Sequence, residues 1–170
     1  MRFFFFSLVL LLFLSCSPEK EQKKSDSFHW AKRKIVMQGS DSLFSGRSYL
    51  SVYSDIYDLT DETKHLLTST VSIRNTSLTD SLFITKADYF NTRGELIRPY
   101  LENPVYLTPL ETVEIVIHRR DESGGSGANF IFEWASKNPE YEPLFEAVMI
   151  WTTGTQGISF VTRGKNYPNK

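Results

Sequence analysis

The chain has 170 residues, of which 41% are hydrophobic and 14% aromatic, with 19 basic against 20 acidic side chains and a formal charge of −1. That length suffices for one buried core, and so even a charge balance excludes nucleic-acid binding, which needs a basic stripe to neutralise phosphates. The single cysteine, Cys16, excludes an internal disulfide and a cysteine-based metal centre, so the folded part must be held by packing.

Behind Met1-Arg2 lies an apolar run from Phe3 to Leu14. It is too short for a bilayer core that takes roughly 20 helical residues, and it has the length of a secretory signal. The residues Phe13-Leu14-Ser15-Cys16 resemble a bacterial lipobox, with Phe13 standing where that pattern favours Leu. The resemblance implies a signal peptide over residues 1–15, cut ahead of Cys16, whose thiol carries diacylglycerol. Two or three acyl chains, at about 0.8 kcal/mol per buried CH₂, tether a protein essentially irreversibly. Ser17 rather than Asp follows the cysteine, which in Gram-negative bacteria permits sorting onward. The expected location is the bacterial cell envelope, anchored in the outer membrane and facing the periplasm. Residues 16–27 form the lipidated cysteine and a flexible linker: Ser17 to Ser27 contains no large apolar side chain to offset the entropy of ordering. As a coil it reaches roughly 18–20 Å.

From Phe28 to Lys170 the periodicity is that of strands in a single domain. A first strand is expected at Tyr49–Tyr53. In Leu67–Arg74 apolar residues fall on odd positions, and Asn75-Thr76-Ser77 ends the run as a turn. Leu82–Phe90 and Glu95–Arg98 flank Asn91-Thr92-Arg93-Gly94, where Gly94 can take the positive φ of a tight hairpin. Thr112–His118 alternates with Val113, Ile115 and Ile117 on one side, and Phe130, Phe132 and Trp134 do the same opposite Ile131 and Glu133. Leu144–Trp151, apolar on both faces except Glu146, reads as a central strand with few solvent contacts. Ile158–Thr162 follows the turn Gly154-Thr155-Gln156-Gly157. Short helical turns are expected near Ala31–Val36 and Asn138–Glu142. The fold class is all-β, a two-sheet antiparallel immunoglobulin-like sandwich of about 7–8 strands, with a closed barrel as the alternative.

Val52–Tyr57, Ser72–Thr76, Ser123–Phe130 and Gly154–Phe160 together resemble a family of bacterial secreted and lipidated proteins known as a domain of unknown function. The resemblance spans Ser48 to Gly164 and implies no activity.

Among candidate sites, the glycine-rich segment Ser123, Gly124, Gly125, Ser126, Gly127 and Asn129 presents N–H groups and hydroxyls without bulk, as an anion nest or binding loop does. It lacks the Lys-Ser/Thr of a phosphate-binding P-loop, and its other reading is a long hairpin connection whose glycines satisfy positive φ. His29, His65 and His118 are dispersed, so no metal or cofactor is expected. His118, Asp121 and Ser126 have the residue types of a triad without a nucleophile elbow, and Glu133 and Glu146 could pair as acid and base if their strands adjoin. Tyr53, Tyr57, Tyr89, Phe90, Tyr100 and Tyr106 read as core area before a carbohydrate or peptide platform. The functional expectation is a non-enzymatic module, attached to the membrane by its lipid, that binds an envelope protein or small polar ligand through loops at one end of the sandwich. The alternative is a hydrolase of an envelope polymer, which requires two or three of His118, Asp121, Glu133 and Glu146 to converge in one cleft. A purely structural component would instead expose a large apolar patch.

Overall fold

The computed structural model describes residues 30–37, 42–153 and 155–168, so Cys16, the linker, His29 and Gly154 lie outside the described residues. A 3-10 turn, Trp30–Arg33, leads to β1 (Phe44–Val52), β2 (Asp55–Tyr57), β3 (Lys64–Leu66) and β4 (Thr68–Arg74). The middle of the chain supplies β5 (Leu82–Phe90), β6 (Leu96–Pro99), β7 (Val105–Leu107) and β8 (Thr112–Ile117). The last part adds β9 (Ala128–Ser136), β10 (Leu144–Thr153), β11 (Gln156–Arg163) and β12 (Lys165–Asn166). One sheet runs β12-β1-β9-β5-β6, with β7 also on β5; the second runs β11-β10-β4-β8; β2 and β3 form a separate hairpin. Every pairing is antiparallel.

The alternation of side chains decides the layers. Phe130, Phe132 and Trp134 of β9 are buried together with Leu50 and Val52 of β1 and Ile84 and Tyr89 of β5. They face Val71 and Ile73 of β4, Val113 and Ile115 of β8, and Phe145 and Met149 of β10, all in one hydrophobic cluster. An aromatic ladder joins the sheets: the Phe130 and Phe132 rings stack at 5.3 Å, and Phe132 stacks on Phe145 of the opposite sheet at 4.3 Å. This is a two-layer, all-β antiparallel sandwich, as the periodicity anticipates.

The differences have physical reasons. All eight expected strands are present, and four others, β2, β3, β7 and β12, have three residues or fewer, too short to show any period. Asn138–Glu142 is a turn and not helical: Asn138 accepts from the Glu140 N–H on its side chain (2.9 Å) and from the Tyr141 N–H on its carbonyl (3.3 Å), and prolines at 139 and 143 bound the segment. β10 is central, between β11 and β4, yet Val148 and Ile150 on its outward side remain 38% and 43% exposed. A two-layer sandwich covers only one face of each sheet, so an apolar outward face does not guarantee cover.

Register also sorts the connections into two ends. Phe44 and Leu82 both lie opposite Ser136, whereas Val52 lies opposite Ala128 and Phe90 opposite Asn129. In the second sheet Arg74 pairs with Thr112 and Leu144, and Thr68 with Ile150. The Leu67 N–H donates to the Ser54 carbonyl (2.8 Å), which puts the Val52 and Thr68 ends together. The N-terminal segment therefore arrives at one end, the base, where Lys34 bridges Val105 and the Ile35 N–H donates to Pro104 O (3.0 Å). At the other end stand the Asn91–Glu95 turn, the β2-β3 hairpin, the β8-β9 connection and the β10-β11 hairpin.

Asn75 pins the base. Its buried amide donates to the carbonyls of Asp80 (2.8 Å), Leu107 (3.2 Å) and Thr108 (3.0 Å), and its Oδ1 accepts from Ser77 N (3.0 Å). Asn75→Ala removes these bonds from a buried site, leaving Thr108 O only its bond from the Glu111 N–H (3.1 Å), and will cost about 2–3 kcal/mol, a melting-temperature loss of roughly 5–10 °C. A thermal scan showing less than about 1 °C of change would mean that the amide contributes nothing.

Candidate functional site

The glycine-rich segment links β8 of one sheet to β9 of the other, so it is a connection across the sandwich and not a hairpin. A turn opens it, with the Asp121 N–H donating to His118 O (2.8 Å). The Asp121 carboxylate then accepts from the Ser123 hydroxyl (2.5 Å). Gly125–Gly127 makes a 3-10 turn, for which Gly125 takes φ of +73°, a conformation that a Cβ resists. The loop backbone is fastened to its neighbours. Gly124 O accepts from Thr92 N (3.0 Å) and from Thr92 Oγ1 (3.1 Å), and the Gly127 N–H donates to that same hydroxyl (2.9 Å). Gly125 O accepts from Ser54 N (3.0 Å). Gly124 has ordinary helical angles, and it is glycine for space: a Cβ there would stand 1.9 Å from Tyr89 Oη and 2.6 Å from Ser54 Oγ.

Beneath the loop, Tyr89 Oη and Ser54 Oγ are 2.9 Å apart in the core. Burial, only partly offset by that bond, pushes the Tyr89 pKa up to about 12, so the phenol stays neutral at physiological pH. Arg98 donates to Asp121 Oδ2 (3.0 Å) and to Tyr100 Oη (3.1 Å). Burial works against the Asp121 carboxylate, yet the bonds from Ser123 and Arg98 prevail and hold its pKa below the usual range. The segment thus presents Ser123, Ser126 and Asn129 on a braced backbone, with Ser123 and Gly127 exposed, Gly125, Ser126 and Asn129 half-buried, and Gly124 buried. The Gly127 N–H is already committed, and Asp121 and Glu122 sit at the mouth, an arrangement unsuited to an anion nest.

The groups that a hydrolase would need do not meet. Glu133 points out from the six-stranded sheet to Arg47 (2.8 Å) and Lys86 (3.5 Å). Glu146 points out from the opposite sheet to Arg74 (3.3 Å) and Arg163 (3.0 Å), so the whole core separates the two carboxylates. The Asp121 side chain is engaged by Arg98 and Ser123, and its contact with His118 is between backbones. Among the described residues no three His, Cys, Asp or Glu side chains are placed to hold a metal ion. Tyr89 and Tyr100 pack on Phe130 at 4.9 and 5.5 Å and Tyr53 meets Phe160 edge-on at 5.6 Å, as core area, whereas Tyr57, on the short β2, is 53% exposed with Lys64 Nζ 4.8 Å from its ring and is not core.

One concavity at the loop end is not evident from the sequence. Asp58, His65, Trp151, Gln156, Gly157 and Ile158 line a volume of about 540 Å³ between the β2-β3 and β10-β11 hairpins. His65 Nε2 lies 3.4 Å from Asp58 Oδ2, and its ring sits 4.2 Å from that of Trp151 at a 37° tilt. His65 and Trp151 belong to different hairpins far apart in the chain, and neither flank carries a motif. The one available signal is that both border turns.

No curated protein matches the chain. A solved structure, the crystal structure of Thermotoga maritima 1070, aligns with a TM-score of 0.40 and 10% identity over 71% of this chain and 92% of that one, too slight a likeness to bear on function. The family described as a protein of unknown function (DUF3124) matches residues 45–167, from within β1 to just past β12, and the chain belongs to that family.

Proposed function

We propose that this protein is a lipid-anchored, non-enzymatic recognition module of the bacterial envelope. Cys16 carries the lipid, the outer membrane holds it, and the domain faces the periplasm. The loop end binds an envelope protein or a small polar ligand, with Ser123, Ser126 and Asn129 as its braced polar contacts. The observation that carries this reading is the opposition of the two ends: the N-terminal segment arrives at the base, and the glycine-rich loop and the β2-β3 and β10-β11 hairpins stand at the far end. A tether at the base turns the loop end away from the membrane. Loops braced on a rigid sandwich suit recognition because little ordering entropy is left to lose on binding. The separation of Glu133 from Glu146 by the core speaks against the hydrolase alternative.

Two measurements test this reading in cells that make the full chain. Cys16→Ala should abolish fatty-acid incorporation and leave an unprocessed or released protein, and labelling that persists would overturn the anchor. A photo-crosslinking residue at Ser126 should capture a partner that the same residue at the exposed base position Leu78 does not. Equal capture at both positions, or none at Ser126, would overturn recognition by the loop end.

A further inference from the structure

We propose that the concavity between the β2-β3 and β10-β11 hairpins is a binding site for a neutral saccharide. This deepens the recognition reading by naming a ligand class and a second surface at the same end. The volume of about 540 Å³ lies within the roughly 300–1,000 Å³ of small-molecule sites. Its lining combines an indole with a carboxylate, a carboxamide and an imidazole. Trp151 is half-buried, packed on the core with the His65 ring 4.2 Å away, and the part of the indole left exposed offers apolar surface to the C–H groups of a pyranose ring and a polar N–H at its edge. Trp134 donates its Nε1–H to Ser48 (3.0 Å), whereas the Trp151 N–H has no acceptor among the described residues. Nor does the Gln156 carboxamide, at the tip of its hairpin, have a partner among them.

The choice of ligand follows from what each class would leave unused. An anion would meet the Asp58 carboxylate, and no Lys or Arg lines the site to offset that repulsion. An organic cation could use Asp58 and the indole face but would leave the Trp151 N–H and the Gln156 amide without a function. A compact apolar ligand would have to desolvate three polar side chains, Asp58, His65 and Gln156. Hydroxyl groups both donate and accept, so a sugar can satisfy Asp58 as acceptor, the Trp151 N–H as donor, and Gln156 as both. His65, held by Asp58 at 3.4 Å, sets one side of the indole.

The test titrates the detergent-solubilised full chain, in a detergent without a sugar headgroup, with tetramers of N-acetylglucosamine, β-glucose and α-glucose up to about 10 mM. Calorimetry and tryptophan emission follow binding, and tetramethylammonium serves as the cationic competitor. At least one tetramer is expected to bind with Kd below about 1 mM. Trp151→Phe and Gln156→Ala should each weaken it by about tenfold or more, and the exposed Gln156 variant should keep the parental melting temperature. The proposal is overturned if no tetramer binds, if both variants bind like the parent, or if tetramethylammonium displaces the sugar. Failure here with Ser126 crosslinks intact would remove this site and spare the recognition reading; loss of the crosslinks with sugar binding intact would do the reverse.

Discussion

Phe132→Ala will destabilise the domain by about 4 kcal/mol, a fall of roughly 10–15 °C in melting temperature. The ring is fully buried and is the middle rung of the aromatic ladder, stacked on Phe130 within its own sheet and on Phe145 across the interior. Removing it takes away the transfer free energy of a phenyl group and leaves a cavity between two sheets whose backbones are fixed by their own ladders. Neither sheet can move in to fill it without disturbing registers on both sides of β9. Phe132→Leu, which keeps most of the volume, should cost only about 1–1.5 kcal/mol. Denaturant unfolding of both variants is the check. A loss below about 1.5 kcal/mol for the alanine variant would mean that the sheets do collapse, and that the ladder is not what joins them.

Gly124→Ala will cost about 3 kcal/mol although it adds one methyl group to an exposed-looking loop. The methyl would overlap Tyr89 Oη at 1.9 Å, Ser54 Oγ at 2.6 Å and Ala128 Cβ at 2.8 Å, and none of these lies on a mobile surface side chain. Either the loop lifts, breaking its bonds to Thr92 and Ser54, or Tyr89 shifts and loses its buried partner. Tyr89→Phe removes the nearest atom of the clash. In that background Gly124→Ala should therefore cost at least about 1 kcal/mol less than in the parent, a coupling that a double-mutant cycle reads directly. Additive costs would show that the clash with the phenol is not the cause.

The readable parts of the chain were those with a long period. In β4, β8 and β9 alternation over six to nine residues set the inward face, and Val71, Ile115 and Phe132 are buried accordingly, whereas in β5 a register shift between Ile84 and Lys86 moves burial from even to odd positions. The Gly94 turn was equally legible, because its φ of +77° is one that few other residues accept. The short β7 and β12 were not, since pairing across the chain creates them and no local signal does. The glycine-rich loop was visible as composition, but its route between sheets depends on where β8 and β9 end up. The space requirement at Gly124 comes from Tyr89, 35 positions earlier in the chain and on another strand, which no local reading connects to it. The Trp151 concavity was hidden for the same reason: its walls are two hairpins that only the finished sandwich brings together.

The register of β1 constrains the order in which this domain can form. Its partners are β9 and β12, at residues 128–136 and 165–166, and it pairs with nothing nearer in the chain. A polypeptide emerging N-terminus first therefore carries an unpaired, half-apolar nine-residue strand until most of its length has appeared. Before β9 appears, the β2-β3 and β5-β6 hairpins and the β5-β7 and β4-β8 pairs can form, whereas β10-β11 lies later in the chain. Such long-range closure places folding on the millisecond-to-second scale of all-β domains, with the β1 edge open to wrong partners throughout. A fragment ending before Ala128 has no strand to complete β1 and will not reach the native sheet, so the growing chain needs to be kept from wrong pairing until its last third has arrived.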